Sequence, residues 1–212
     1  MKARLLVVML ALAAIPAMAQ FDVRAYGGVN IVQLSTDQGT SLIDGVLHNK
    51  KVSGAPGYQF GAAVLFGERV FVQPGFQWTT ISTTEVNENT VTGDELTDDV
   101  TLSMISVPLR VGVRLIDPTV ENLFNIRIYG GVDGHHVTGV NHKENNPMTG
   151  DIDVDDYNNL IVNADFGLGI DFAFLYIESG YQLGISPVYA ADSQAKANAF
   201  YANLGLRLSF GY

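Results

Sequence analysis

The amino-acid sequence predicts an all-β fold, an eight-stranded antiparallel transmembrane β-barrel. Three observations carry that prediction. Apolar residues recur at every second position along stretches of about 9 to 11 residues or more, the length a tilted strand needs to cross a bilayer. The connections between these stretches alternate between short and long, as in barrels with tight periplasmic turns and longer external loops. The leading segment, MKARLLVVMLALAAIPAMAQ, has the form of an export signal.

In that segment Lys2 and Arg4 precede an apolar run from Leu5 to Ile15, and Ala17-Met18-Ala19 supplies small residues for cleavage. Residues 1–19 are therefore expected to act as a signal peptide, with 20–212 forming one outer-membrane β-barrel domain. The apolar run is shorter than the roughly 20 residues of a spanning helix. No later stretch is long and apolar enough either, so any membrane crossing falls to strands, whose polar backbone is satisfied by neighbours. Cysteine is absent, which excludes disulfides, thiolate metal sites and a cysteine nucleophile. The formal net charge of −10 argues against nucleic acid, whose phosphates call for a basic surface.

The first strand is expected over 21–32, with Phe21, Val23, Ala25, Gly27, Val29 and Ile31 on one face and Asp22, Arg24, Tyr26, Gly28 and Asn30 on the other. A hairpin follows: 57–66, with Tyr58, Phe60, Ala62, Val64 and Phe66, turns at Gly67-Glu68 into Val70, Val72, Pro74, Phe76 and Trp78. Pro74 is an awkward member, because it lacks the N–H of a paired strand. The fourth strand fits 101–115, where Ile105, Val107, Leu109, Val111, Val113 and Leu115 oppose Arg110, Gly112 and Arg114. The fifth fits 126–138, with Ile126, Ile128, Gly130 and Val132 against Arg127, Tyr129, Gly131 and Asp133. The stretch NLIVNADFGLGIDFAFLYIESGYQLGIS, 159–186, supplies the sixth and seventh, joined tightly around Ala173 and Phe174. The last is 198–212, where Phe200, Ala202, Leu204, Leu206, Leu208, Phe210 and Tyr212 form the apolar row. Long connections are expected at 33–56, 80–100 and 139–158, with a further one at 187–197.

Lipid on the outside demands the apolar row, and an eight-stranded barrel has an interior that side chains can fill. The opposite parity carries Asp22, Asp133, Asp165, Asp171 and Glu178 with Arg24, Arg110, Arg114, Arg127 and Arg207, five of each sign. So balanced a set predicts a salt-bridged plug, since unpaired charges in a narrow lumen are costly. Aromatic girdles are expected at Phe66, Phe124, Phe172, Phe210 and Tyr212 near the turns, and at Tyr58, Trp78, Tyr157 and Phe200 near the loops. Segments 81–100 and 139–158, both on the loop side, together carry a net −10. A soluble lipocalin-like barrel is the alternative, with the apolar row inward. Seven unbroken apolar positions from Leu160 to Phe172, with glycines between them, suit lipid better than water.

The segments FVQPGFQWTT, MISVPLRVGVRL, NIRIYGGVDG, ADFGLGIDFAFLYIESGYQLGIS and NLGLRLSFGY span nearly the whole mature chain, and in them the chain resembles the PorT-like outer-membrane β-barrel family typical of Bacteroidota. The Val107-Pro108-Leu109 step is the most characteristic part. The resemblance implies export, insertion in a Gram-negative outer membrane, and contact with outer-membrane lipid and lipopolysaccharide. It also implies that Leu206, Leu208, Phe210 and Tyr212 form a signal for the outer-membrane assembly machinery, with Tyr where the final residue is more usually Phe. Members differ in role, and one branch assists protein secretion.

Candidate chemistry is sparse. His135 and His136 end the fifth strand, with His142 beyond, and a His136/Thr138 pair sits where small lipid A-modifying barrels place a hydrolytic dyad. Threonine is a poor nucleophile there, and no orienting carboxylate is evident. DIDVDD places Asp151, Asp153, Asp155 and Asp156 where alternate carboxylates could converge on calcium, without the Gly and closing Glu of an EF-hand. GLG at 167–169 lies inside a strand, which excludes a nucleotide loop. The expected function is non-enzymatic and cofactor-free: a structural or interaction role exercised through acidic external loops, on a protein partner if there is one. A narrow pore, a lipid A-modifying enzyme and a soluble binder are the alternatives.

Overall fold

The computed structural model describes residues 20–35, 40–43, 46–89, 95–116, 123–143, 157–189 and 195–211. Its strands are β1 (Phe21–Ser35), β2 (Thr40–Ile43), β3 (Val46–Phe66), β4 (Val70–Asn89), β5 (Glu95–Arg114), β6 (Phe124–Lys143), β7 (Ile161–Phe172), β8 (Leu175–Gly184) and β9 (Lys196–Phe210). Each barrel strand pairs antiparallel with its neighbours, and β1 closes the circle by pairing with both β9 and β3. Closure leaves no edge for lipid to meet unsatisfied. Among the described residues no helix is long and apolar enough to cross a membrane.

The eight-stranded barrel is as expected, but its strands are longer. β3 has 21 residues and β4, β5 and β6 have 20 each, about twice what a bilayer requires. Residues 46–56, 80–89, 95–100 and 139–143, expected in loops, continue these strands. The physical reason is visible in β4, whose upper half reads TTISTTEVNEN: threonine, isoleucine and valine keep the backbone extended after the apolar row has stopped. Lipid sets where the apolar row ends; backbone pairing sets where the strand ends. The barrel wall is therefore tall from β3 to β6 and short at β7 and β8, which have 12 and 10 residues. A short hairpin of β2 against the start of β3 was not expected at all.

The short turns share one end of the barrel. Gly67 turns β3 into β4 at φ 110°, and Ala173 takes φ 51° in the tight turn from β7 to β8. A left-handed alanine is uncommon, and this turn is held from outside. The Ala173 N–H donates to the Leu123 carbonyl at 2.6 Å, and Arg207 Nε donates to the Ala173 carbonyl at 2.6 Å.

Pro74 and Pro108 sit inside paired strands, as does Pro56 of β3, aligned with Ile31 of β1. Pro74 is aligned with Leu109 of β5, while the β3–β4 ladder skips between Ala63–Gly75 and Phe66–Val72. Pro108 is aligned with Asp133 of β6, while the β4–β5 ladder skips between Pro74–Leu109 and Gln77–Ser106. Each ring thus interrupts the ladder on the side toward which its missing N–H would have pointed.

The outer face is the apolar row. Phe60, Phe76, Leu109, Phe166, Leu168, Phe172 and Leu204 all stand exposed on it, at lipid depth. Phe21 stacks on Phe210 with centroids 4.9 Å apart and lies 6.4 Å from Phe66, which forms the turn-side girdle; Tyr212 falls outside the described residues. On the loop side Tyr58 and Phe200 are exposed, and Trp78 packs on Phe60 at 4.9 Å. Tyr157 is a correction: it is only 4% exposed and lies inside the lumen. The cause is tertiary. Tyr157 bridges to Tyr189, and Asn158 ties the two connections together through the Pro187, Val188 and Tyr189 carbonyls.

Candidate functional site

Period-two alternation turns the odd faces of β3 and β4 and the matching faces of the other strands into one lumen, and the ten charged residues singled out by parity all point into it. Each is buried, from 0% exposed for Asp22, Arg24 and Asp171 to 8% for Arg207. They form two connected layers, with Asp133 above them.

The layer nearest the turns is organised by Asp171 and Asp22. Asp171 receives both arms of Arg24 at 2.9 and 3.0 Å, Arg127 Nε at 3.1 Å and Arg207 Nη1 at 3.3 Å. Asp22 receives Arg24 at 3.0 Å and Arg114 at 2.6 Å. Asp22 and Arg24 come from β1, Arg114 from β5, Arg127 from β6, Asp171 from β7 and Arg207 from β9. All but the Arg24–Asp22 bond, which stays within β1, therefore join different strands.

One layer up, Arg110 donates through Nε to Asp165 at 2.5 Å and through Nη1 to Glu178 at 3.2 Å. Arg127 reaches the other Glu178 oxygen at 3.6 Å, linking the layers. Tyr201 donates to Asp165 at 2.8 Å and its hydroxyl lies 2.9 Å from that of Tyr129. Asp133 is placed differently from the rest, higher in the lumen, where the Gln182 amide donates to it and its second oxygen has no hydrogen-bond partner. The guanidiniums are also sandwiched by rings: Arg110 lies 5.2 Å from Tyr129 and 5.4 Å from Tyr201, and Arg24 lies 4.8 Å from Tyr176. Such contacts favour a guanidinium over an ammonium, and the five basic members are all arginine.

The rings also explain the glycines between the carboxylates. A Cβ on Gly167 would stand 2.4 Å from the Tyr129 hydroxyl, and one on Gly180 would stand 2.5 Å from that of Tyr201. Each tyrosine lies flat over a glycine of a neighbouring strand, which leaves its hydroxyl aimed at the charge layer.

Sequence parity placed Tyr26 and Tyr129 on the inner face, and Tyr201, which alternates with Phe200 and Ala202, shares that parity; none was assigned a role. Their signal was there, in sharing that face with the charges. What parity did not reveal is the apolar upper lumen. Val32, Val100, Leu102, Met104, Val137, Ile161 and Ala199 form a buried cluster at the loop end. They have the inward parity of the arginines below them and resemble a lipid-facing row that has changed sides.

Of the other candidates, His135 faces inward, 3% exposed, with Nδ1 2.6 Å from the Ser106 hydroxyl and Nε2 3.4 Å from the Asn163 amide. His136 faces out, and its Nδ1–H donates to the Asn159 carbonyl at 2.8 Å. Thr138 donates to the Ser103 carbonyl at 3.1 Å. Both members of that pair are thus engaged with main chain. The His142 side chain and Asp151, Asp153, Asp155 and Asp156 lie outside what the structure describes; among the described residues no cluster could hold a metal ion. Leu206, Leu208 and Phe210 line the outer face of β9 up to the turn-side girdle.

Residues 16–190 match the family model described as outer membrane protein beta-barrel domain. Among solved structures, the outer membrane protein OprG from Pseudomonas aeruginosa aligns with a TM-score of 0.57 at 12% identity, over 92% of this chain and 97% of that one. Ail, the attachment invasion locus protein of Yersinia pestis, aligns at 0.43 and 12% identity over 88% of this chain and 98% of its own. No curated protein sequence matches the chain. The barrel is accordingly one of the Gram-negative outer membrane, in contact with its lipid and lipopolysaccharide.

Proposed function

The chain belongs to the outer membrane protein beta-barrel domain family, and we propose that this member is a non-conducting interaction protein, its lumen plugged by charge pairs and its acidic external segments offered to a partner. The observation that carries the reading is the bonding of Arg24, Arg110, Arg114, Arg127 and Arg207 to carboxylates on other strands with almost no exposure. A path for solutes would have to break bonds whose separated charges are costly to bury. The tall wall from β3 to β6 supports the second half, because the strand ends at Asn89, Glu95 and Lys143 lie well beyond the lipid-facing row. No feature of the His136 and Thr138 surroundings favours catalysis over this role.

In the same reading, residues 1–19 direct export and Leu206, Leu208, Phe210 and Tyr212 present the barrel to the assembly machinery. The narrower PorT-like assignment rests on the Val107-Pro108-Leu109 step, whose proline faces the lumen beside Asp133. Planar-bilayer recording tests the plug: the purified barrel is expected to give no stable conductance steps, and large steady steps would refute it. Calorimetric titration with calcium tests the loops. Replacing Asp151, Asp153, Asp155 and Asp156 by Asn is expected to abolish calcium binding while insertion is unchanged; identical isotherms would leave the acidic segments without an ionic role.

A further inference from the structure

We propose that the outward face of β4, β5 and β6 just above the lipid-facing row is a docking surface for the saccharide that lipopolysaccharide carries above its lipid A. This goes beyond the interaction role above and rests only on the barrel's place in the outer membrane. On this face the apolar row ends at one level, where Trp78 is aligned with Ile105 and Ile105 with His136. Directly above it the outward positions become small and polar. Ser103 and Thr138 come first, and then Ser82, Thr101 and Asn141 stand in one register across the three strands. All of them are exposed or half-buried.

Height decides what this face meets. At roughly 3.3 Å per residue along strands tilted by about 45°, Ser103 and Thr101 stand about 5 and 9 Å above Ile105. The interfacial layer of a bilayer is roughly 5 to 8 Å deep on each side. An outward-facing surface at that height is neighbour to headgroups, and it continues without a break from the row already in contact with lipid and lipopolysaccharide. The part of lipopolysaccharide that reaches this level is its saccharide.

The surface suits sugar hydroxyls better than phosphates. Across 78–83, 100–105 and 136–141 the described side chains include no acid, lysine or arginine, in a chain of net charge −10. Phosphate recognition calls for cations, whereas hydroxyls and amides exchange neutral hydrogen bonds, as sugar hydroxyls do. The Ser82 hydroxyl lies 3.1 Å from that of Thr101, and both keep capacity for a further bond. His136 donates Nδ1–H to the Asn159 carbonyl, which leaves Nε2 as an acceptor. The face also has a notch. Gly139 is aligned with Ser103, and a Cβ placed on it would meet nothing nearer than the Ser103 Cβ at 3.9 Å. That opening, flanked by Thr138 and Asn141, is where the sugar seats.

Native mass spectrometry of the full barrel, released from micelles holding equal amounts of rough-type lipopolysaccharide and its lipid A, tests this. The wild type is expected to retain the lipopolysaccharide about tenfold more than the lipid A, for the added hydrogen bonds. Lipopolysaccharide stripped of its core phosphates is expected to be retained as well as the intact form. Thr101→Val with Thr138→Val removes hydroxyls and keeps shape, and Gly139→Leu fills the notch where φ is not positive. Both variants are expected to show the heat-modifiable folded band and to retain the two lipids equally, and each decides alone. Equal retention by the wild type would overturn the site, as would a preference that survives either variant. So would a preference that dephosphorylation abolishes, because the ligand would then be the phosphate.

Discussion

Arg110→Met should destabilise the barrel by about 3 to 5 kcal/mol, the cost of breaking a buried ion pair from one side. The magnitude follows from what is lost and what remains. Arg110 makes charge-assisted bonds to Asp165 at 2.5 Å and Glu178 at 3.2 Å, and such bonds contribute roughly 1.5 to 3 kcal/mol each. It also lies between the Tyr129 and Tyr201 rings, 5.2 and 5.4 Å away. Against this, Asp165 keeps the Tyr201 hydroxyl at 2.8 Å and Glu178 keeps Arg127 at 3.6 Å, so neither carboxylate is wholly abandoned. Methionine is chosen because it preserves most of the volume and separates lost charge from a cavity. Unfolding by urea in lipid vesicles can be followed through Trp78, the single tryptophan, which packs on Phe60 at the lipid face. Adding Asp165→Asn should recover at least half the loss, since it removes the stranded charge. A single variant within about 0.5 kcal/mol of wild type, the range of an ordinary surface change, would refute the account. A double variant less stable than the single would also refute it.

Arg207→Ala should cost less, about 1 to 3 kcal/mol by the same urea assay, because Asp171 retains Arg24 and Arg127; a loss equal to that of Arg110→Met would show that the Ala173 turn, not the charge layer, is what Arg207 holds. Leu168→Arg puts a charge on the lipid face midway along β7 and should lower stability by about 2 to 4 kcal/mol, visible as a reduced heat-modifiable folded band; an unaffected yield would invert the face assignment. Gly167→Ala, conservative by sequence, should lose about 1 to 3 kcal/mol because its methyl drives the Tyr129 ring from the Tyr201 hydroxyl, and Gly167→Ala/Tyr129→Phe should recover part of it.

The ten charged residues were legible from parity alone because a closed barrel has only two faces, and a residue two positions from another shares its surroundings. The same rule identified the lipid row from Leu160 to Phe172 and the strand count, since lipid enforces apolar alternation and short turns punctuate it. Partners were not legible. Arg24 and Asp171 stand 147 residues apart in the chain and meet because closure brings β7 within three strands of β1 around a narrow lumen. Parity treats Asp133 and Asp165 alike, yet height along the barrel gives one an amide and the other a guanidinium. Strand ends were misplaced for a related reason: alternation reports what surrounds a strand, and above the bilayer the surroundings change while the pairing continues. Tyr157 and the apolar upper lumen show the limit most plainly. An apolar residue inside the lumen and one facing lipid are the same letter in the sequence, and only the folded-over connections at Asn158 and Val188 decide that Tyr157 covers Met104 and Ile161 rather than meeting the membrane.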